Sequence, residues 1–347
     1  MKLSLKKWID TNGVRLIHIK DPCKYKYILP KMYNKEDMCI WEADQKRFEG
    51  GLLQISPQYV GITKNLFCCS DGSVKSNDSV IEDFSEHNEL RSMGQVQNTS
   101  EEVYVNLADR WCGDNYWHWM TTSLSRLYLL QRLESFTSFN DYLYIVNSLK
   151  HRFIRESLLK FGIVTNSCIE VGDDNASIYC QNVILPSRIH DEDIDSILYL
   201  RNNLRHSTPD GINKVYISRT GTRKILNEDE VIDVLSKRNF VSVQPENLSF
   251  YDQVSLFSGA SVIVGPHGSG MTNILFAPDN AKVLEIRNRN YNGNCYLWLS
   301  NKLGFDYYNL YGVGQQIDSY GQFSSNVFGD IFVDKKDLIN TLDMMEV

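Results

Sequence analysis

The period of the apolar positions switches repeatedly between residues 215 and 287. Val215-Tyr216-Ile217-Ser218 is a short β-branched and aromatic run followed by the turn at Gly221, which predicts a strand. Asn227-Glu228-Asp229-Glu230 then offers an N-cap, a Glu at the third helical position and an acidic first turn. In the helix that follows, VIDVLSKR, Val231, Val234 and Leu235 recur at i, i+3 and i+4, and Lys237-Arg238 close the last turn. Phe240 to Val243 is a second strand, Ser249 caps the helix SFYDQVSLFSGA with Asp252 at its third position, and Ser261 to Val264 is a third strand. A short helix from Asn273 to Phe276 stops before Pro278, and Lys282 to Ile286 is a fourth strand. Strands alternating with helices at this spacing give a βαβ series, hence a parallel sheet with helices on its faces.

The middle of the chain repeats the alternation more weakly. Val103 to Leu107 reads as a strand, about 114 to 134 as a helix, Tyr142 to Val146 as a strand and 150 to 161 as a helix. Short strands follow near 169–171 and 183–185, then a helical pattern from Asp191 to His206 that ends in HSTPDG, a natural hinge. The first hundred residues carry short extended pieces with turn signals at Asp71-Gly72 and Asn77-Asp78, a β-rich decoration rather than a separate domain. The expected division is therefore 1–207 and 208–330, with a closing helix in 331–347 packing back on the N-terminal domain. Two such α/β domains would form a cleft at the carboxyl ends of their strands, where open sheets place ligands.

Composition narrows the class. With 347 residues, 42% apolar and 23% charged, the chain suits two soluble domains. A net charge of −7 argues against nucleic acid as a partner. The eight cysteines show no zinc-ligand spacing and read as reduced thiols. Sequons at Asn77, Asn98, Asn175 and Asn247 carry no weight in so asparagine-rich a chain. Asp10 and Asn12 interrupt the start, so no signal peptide is read there, and no run of about 18 apolar residues occurs. The expected compartment is the cytoplasm.

Candidate chemistry gathers in three places. Residues 265–273, GPHGSGMTN, follow the third strand directly. Gly265, Gly268 and Gly270 would let a phosphate approach a helix start, and His267, Ser269 and Thr272 would add donors. The spacing is neither a dinucleotide fingerprint nor a P-loop, so a plain βα turn stays open as the alternative. After the first strand comes Arg219-Thr220-Gly221-Thr222-Arg223-Lys224, whose guanidinium forks suit phosphate oxygens, or which is a solvated basic turn. In the other half, DNYWHWM opens a helix. There Asn115 can cap, Asp114 and His118 can face each other, and His118, Thr122 and Arg126 share a polar stripe. His118 beside a carboxylate suits a general base, and Tyr116, Trp117 and Trp119 suit stacking on sugar rings. A capped helix with aromatic core residues is the alternative. The run Asp191-Glu192-Asp193-Ile194-Asp195 reads as a helix start rather than a metal motif.

Taken in order, these pieces resemble the family-61 glycosyltransferases over about residues 100 to 290: NYWHW with the following helix, SRTGTRKILNEDEV, FVSVQPENLSFYDQVSLFSGA, and VIVGPHGSGMTNILF followed by VLEI. Pro266 and Met271 depart from the family's usual residues without disturbing the chemistry. The resemblance implies an α/β, GT-B-like enzyme with two Rossmann-like domains whose parallel sheets face each other across a cleft. It would invert the anomeric carbon and need neither cofactor nor metal. Residues 1–207 become the acceptor side and 208–330 the nucleotide-sugar domain. Arg219, Arg223 and the 265–270 loop with Gly265, His267, Gly268, Ser269 and Gly270 would hold the diphosphate, Lys224 and Asn273 would also bind the donor, Glu285 would bind ribose hydroxyls, and Glu246 would lie near the nucleobase pocket. His118 is the expected catalytic base with Asp114 in reserve, and Asn115, Tyr116 and Trp119 would meet the acceptor. The implied partners are a nucleotide sugar, most often a UDP-sugar, and an oligosaccharide or polysaccharide acceptor. Among the family's branches the expectation is the bacterial one, building capsule or cell envelope in the cytoplasm at the inner membrane face. The oligomeric state stays open.

Two rivals stand beside this reading. A Rossmann-type NAD or S-adenosylmethionine enzyme would want a glycine-rich turn after the first strand, and residues 100–120 offer only Gly113. A non-catalytic sugar-binding or scaffold protein would be indifferent to Arg219→Ala and His267→Ala.

Overall fold

The computed structural model describes residues 2–3, 14–26, 28–34, 52–76, 79–81, 96–98, 101–172, 176–189, 193–206, 212–289, 291, 293–312 and 329–347. The chain forms two compact units, Met1–Cys23 with Gln54–Asn203, and Lys24–Leu53 with Leu204–Val347. The break at 203/204 lies near the hinge read from sequence, whose residues 207–211 fall outside the described set. Lys24–Leu53 groups with the second unit rather than with the rest of the first hundred residues. The Lys31 N–H donates to the Tyr307 carbonyl at 2.9 Å and its carbonyl accepts from the Asn309 N–H at 3.1 Å. That contact lies along the strand Asp306–Tyr311 at the end of its sheet, and it occupies backbone groups that an open edge would leave unpaired.

The five-stranded sheet of the second unit is parallel throughout, in the order Val241–Val243, Lys214–Ile217, Val262–Pro266, Lys282–Arg287 and Asp306–Tyr311. In chain order this is 2-1-3-4-5, so the winding reverses between the first and third strands. One sheet face is apolar: Tyr216, Val262, Val264, Leu284, Ile286, Tyr308 and Leu310 pack with Val231, Val234 and Leu235 of the helix Glu228–Ser236. Leu338, Leu342 and Met345 of the closing segment complete that same core. The helix Lys335–Met344 therefore spends its apolar face within the second unit, which corrects the expectation that it returns to the N-terminal domain. Ser249 caps Phe250–Gly259 as read, accepting from the Asp252 N–H. Asn227 does not cap; its amide donates to Glu230 Oε2 at 3.0 Å and to the Val333 carbonyl at 2.9 Å. The short helix is a 3₁₀ helix that starts at Ser269 rather than Asn273 and runs to Phe276.

The first unit holds a ten-stranded mixed sheet, not the all-parallel sheet expected. Part of it is a parallel quartet: Ser177–Pro186, Val103–Asn106, Leu143–Val146 and Cys168–Glu170 are successive neighbours. Gln58–Cys69 then joins Ser177–Pro186 antiparallel, and Val74–Ser76 and Ser79–Ile81 continue as a meander. Of the β-rich start, Arg15–Lys20, Gln58–Cys69, Val74–Ser76 and Ser79–Ile81 thus extend this sheet. Of the Asp-rich run, Asp193 and Asp195 are described. Asp193 accepts from the Ser196 N–H at 2.9 Å, and Lys20 binds both carboxylates at 2.7 and 2.5 Å, anchoring the helix Ile194–Leu204. Among the described residues no helix is long and apolar enough to cross a membrane.

The shared core gives a direct check on the closing helix. Leu342 is fully buried and Met344 is 36% exposed. Leu342→Ala should cost about 2–5 kcal/mol in denaturant unfolding, the range for a buried leucine truncated to a cavity. Met344→Ala should change stability by less than about 1 kcal/mol.

Candidate functional site

In an open parallel sheet, the loops after the two strands that flank the reversal of winding splay apart and leave a crevice. Here those loops are the segment after Lys214–Ile217, carrying Arg219 and Arg223, and the segment after Val262–Pro266, carrying Gly268 to Gly270. Both belong to the second unit, and the structure brings them into contact. A Cβ on Gly268 would lie 1.8 Å from Arg219 Nη1 and 2.7 Å from its Cζ, so the guanidinium occupies the space that any other residue at 268 would fill. None of Gly265, Gly268 and Gly270 has a left-handed backbone. Glycine is required for close approach instead, since a Cβ on Gly265 would meet Ile217 Cβ at 2.9 Å.

The electrostatics favour an anion. Arg219 donates through Nε to the Thr222 carbonyl. Burial and the neighbouring Arg223 charge both push its pKa down, with Tyr296 and Glu246 opposing. Two guanidinium groups held close, one of them partly desolvated, form a site that gains when a polyanion enters. The 3₁₀ helix beginning at Ser269 turns its positive end to the same crevice.

Behind the loop lies a buried polar cluster. Side chains alternate along Lys282–Arg287, so Leu284 and Ile286 face the apolar core while Glu285 and Arg287 face the other side. Glu285 has no exposure; Oε1 pairs with His267 Nδ1 and Oε2 accepts from the Tyr307 hydroxyl. Burial alone would raise the Glu285 pKa, but the hydrogen bonds from His267 and Tyr307 and the Arg287 charge overcome it and hold the carboxyl below its usual value. His267 is held below its ordinary value chiefly by burial, against the pull of Glu285. A neutral imidazole facing an ionised carboxylate carries its proton on Nδ1, which leaves Nε2 as an acceptor. In that tautomer Nε2 would accept, where the sequence reading had His267 add a donor. Tyr291, with its ring centroid 3.9 Å away, and Tyr296, at 5.2 Å, cover the imidazole, and Arg223 lies 5.2 Å over the Tyr291 ring. Tyr296 also donates to the Gly268 carbonyl at 2.7 Å.

Other donor-side expectations change role. Glu285, expected at the ribose, is fully buried with one oxygen on His267 and the other on Tyr307. Asn273 is fully buried and ties the loop by donating to Gln253 Oε1 at 2.8 Å and the Gly270 carbonyl at 3.1 Å. Lys224 is exposed, with Asp330 3.9 Å from Nζ. Glu246 is exposed and accepts from the Thr220 hydroxyl at 3.4 Å, and Ser269 is half-buried at the loop. Sequence reasoning missed Arg287, Tyr291, Tyr296 and Tyr307. The charged Glu285-x-Arg287 spacing within an otherwise apolar strand was the signal available for the first.

In the first unit, Asn115 caps as expected, accepting from Trp117 N–H at 3.0 Å and His118 N–H at 3.4 Å. The helix is not continuous: an α turn at Tyr116–His118 passes into a π segment, Trp119–Ser123, and then a 3₁₀ turn, Leu124–Arg126. That shift of period breaks the polar stripe. His118 is partly exposed, whereas Thr122 and Arg126 are buried and Arg126 pairs with Asp109. Asp114 is exposed and binds His151 Nε2 at 2.9 Å. Tyr116 and Trp119 are core residues, Tyr116 against Phe153 and Trp119 donating to Ser157 Oγ at 2.9 Å, so neither offers a ring face to an acceptor. Trp117 is buried as well.

Comparison with known proteins follows these residues. Residues 116–284 match the family model described as Glycosyltransferase 61. The EGF domain-specific O-linked N-acetylglucosamine transferase of Mus musculus is 33% identical over 118 residues, 32% of this chain and 22% of that protein. Its Drosophila melanogaster counterpart is 35% identical over 96 residues, 26% and 18% of the two chains, and that of Bos taurus 36% over 93 residues, 25% and 18%. The matched part is thus about a fifth of each relative's length. These relatives are animal proteins named for glycosylating a protein domain, where the sequence reading pointed to the bacterial capsule branch.

The buried cluster predicts acid sensitivity with a definite sign. His267's folded value lies below the unfolded value of 6.5, so folding is penalised as pH falls through and below 6.5. Glu285's folded value lies below 4.5, so its stabilisation is present above 4.5 and lost as pH drops through the folded value. Urea unfolding at pH 7.5, 5.5 and 4 should show stability falling at each step. Glu285→Ala, which strips His267, Tyr307 and Arg287 of a shared partner, should cost about 3–5 kcal/mol at pH 7.5.

Proposed function

We propose that this chain, whose residues 116–284 match the Glycosyltransferase 61 model, is a transferase that binds a nucleoside-diphosphate sugar in its second unit and passes the sugar to a hydroxyl. The carrying observation is the Arg219 guanidinium lodged on Gly268 at the point where the sheet's winding reverses. Arg219 and Arg223, with the start of the Ser269–Phe276 helix, hold the diphosphate and stabilise the charge that develops on it as the glycosidic bond breaks. His267 Nε2, the acceptor that Glu285 fixes, suits a donor hydroxyl rather than a phosphate. The reaction is a single displacement with inversion. His118 in the first unit is the base that takes the proton of the attacking hydroxyl; Asp114, committed to His151, is the weaker choice. In GT-B terms the second unit is the donor half and the first the acceptor half.

UDP-linked N-acetylglucosamine is the donor to test first, because the relatives' names carry that sugar. The acceptor is a hydroxyl on a glycan or on a protein. The protein choice goes with those names, while a capsule-type polysaccharide goes with a cytoplasmic, membrane-peripheral placement.

Calorimetric titration with UDP, GDP, CMP, NAD and S-adenosylmethionine, in EDTA and then in Mn²⁺, tests the donor half. The expected result is micromolar binding of one nucleotide that already occurs in EDTA. Arg219→Ala should weaken it by about 1.5–3 kcal/mol, the worth of a charge-assisted hydrogen bond. Gly268→Ala should weaken it comparably with little loss of stability, since the added methyl displaces a flexible guanidinium rather than backbone. Binding of NAD or S-adenosylmethionine instead would replace this reading with the oxidoreductase or methyltransferase one. His118→Ala should lower kcat 10²–10⁴-fold with donor affinity intact, and an equal loss of donor binding would remove it from the base role.

A further inference from the structure

Trp111 stands in the turn between the strand Val103–Asn106 and the helix turn Tyr116–His118, with a left-handed backbone, φ 64°. For a bulky side chain this conformation is a strained outlier, and such strain collects at binding and catalytic sites. The indole gains little burial in return, remaining 53% exposed. Its surroundings are built. Asp109, buried, accepts from the Arg110 N–H at 2.7 Å and pairs with Arg126. The Trp111 carbonyl accepts from the Asn115 N–H at 2.9 Å, and the Cys112 N–H donates to the Asp109 carbonyl at 3.2 Å. A Cβ on Gly113 would meet Asn147 Cβ at 3.1 Å, so the turn is pressed against its neighbour. Two polar side chains flank the ring: the Arg110 guanidinium lies 4.4 Å over it and the His118 ring is 5.0 Å away, tilted by 47°.

We propose that Trp111, with the Arg110 guanidinium over its ring, is the platform on which a pyranose ring of a glycan acceptor stacks, bringing a hydroxyl of that sugar to His118. A sugar's C–H face is apolar and its edge is a ring of hydroxyls. An exposed indole matches the face, a guanidinium matches the edge, and a partly exposed imidazole is the group that takes a proton from the hydroxyl that reacts. The stacking role assigned in sequence to Tyr116 and Trp119 thus falls to a residue just ahead of them, because the π segment and the core claim those two rings. A tryptophan kept for packing would not be left half in water on a left-handed backbone. This inference rests on the transferase reading and specifies its acceptor class.

The test is retention on a broad glycan array in the presence of UDP, for the wild type, Trp111→Phe and Trp111→Gly, with thermal unfolding of each. Glycine relieves the left-handed strain, so Trp111→Gly should unfold at the same or a higher temperature while glycan retention falls tenfold or more; Trp111→Phe should keep retention within a few-fold. A wild type that retains no glycan, or a Trp111→Gly protein that retains glycans as well as wild type, overturns the proposal. So does a Trp111→Gly protein with a markedly lower unfolding temperature, which would make the ring a packing residue. Calorimetry with UDP on the same wild-type sample separates the two readings: UDP bound without glycan sinks the platform alone, and neither bound sinks the transferase reading with it.

Discussion

A fully buried carboxylate organises the second unit's working face. Glu285 sits in the middle of a parallel sheet, and its two oxygens reach His267, beyond the end of one neighbouring strand, and Tyr307 on the other. An ionised group at such depth is tolerated only when its hydrogen bonds and counter-charge are complete, and His267, Tyr307 and Arg287 supply them. The consequence reaches the surface. With its ring pinned from behind and covered by Tyr291 and Tyr296, His267 fixes the start of the loop, and Tyr296 secures the Gly268 carbonyl that follows. The loop is thus a shaped surface before any ligand arrives, so binding energy need not be spent on ordering it.

Against that surface lies an excess of positive charge. Arg219 fills the missing side chain of Gly268, Arg223 is near enough to depress its pKa, and the helix from Ser269 adds its dipole. In the proposed reaction, the cost of holding like charges together would be met when a diphosphate enters, and most fully when the leaving group carries its greatest negative charge. The arrangement proposed for donor binding would then also favour bond breaking.

Much of this was legible in the sequence where local rules decide. The βα alternation gave the parallel sheet, and the spacing of Val231, Val234 and Leu235 gave the buried face of its helix. The convergence of the Arg219 and Gly268 loops follows from parallel strands sharing one carboxyl edge. What escaped depends on partners distant in the chain. Glu285 looks like a ligand residue at a strand end until Tyr307 and His267 claim both its oxygens. Asp114 and His118 look like an i, i+4 pair until His151 captures the carboxylate. The aromatics of NYWHW look available until the change from α to π period turns the following residues inward. The antiparallel half of the first sheet was missed because Gln58–Cys69 finds its partner in Ser177–Pro186, more than a hundred residues away.

The central claim is that a nucleoside diphosphate is gripped at the reversal of the second sheet. A crystal structure of the protein with UDP tests it most directly. The account predicts diphosphate oxygens within hydrogen-bonding distance of the Arg219 guanidinium and the backbone N–H groups at Ser269 and Gly270, with His267 still on Glu285. UDP bound away from these loops, or bound there with Arg219 turned out to solvent, would contradict it.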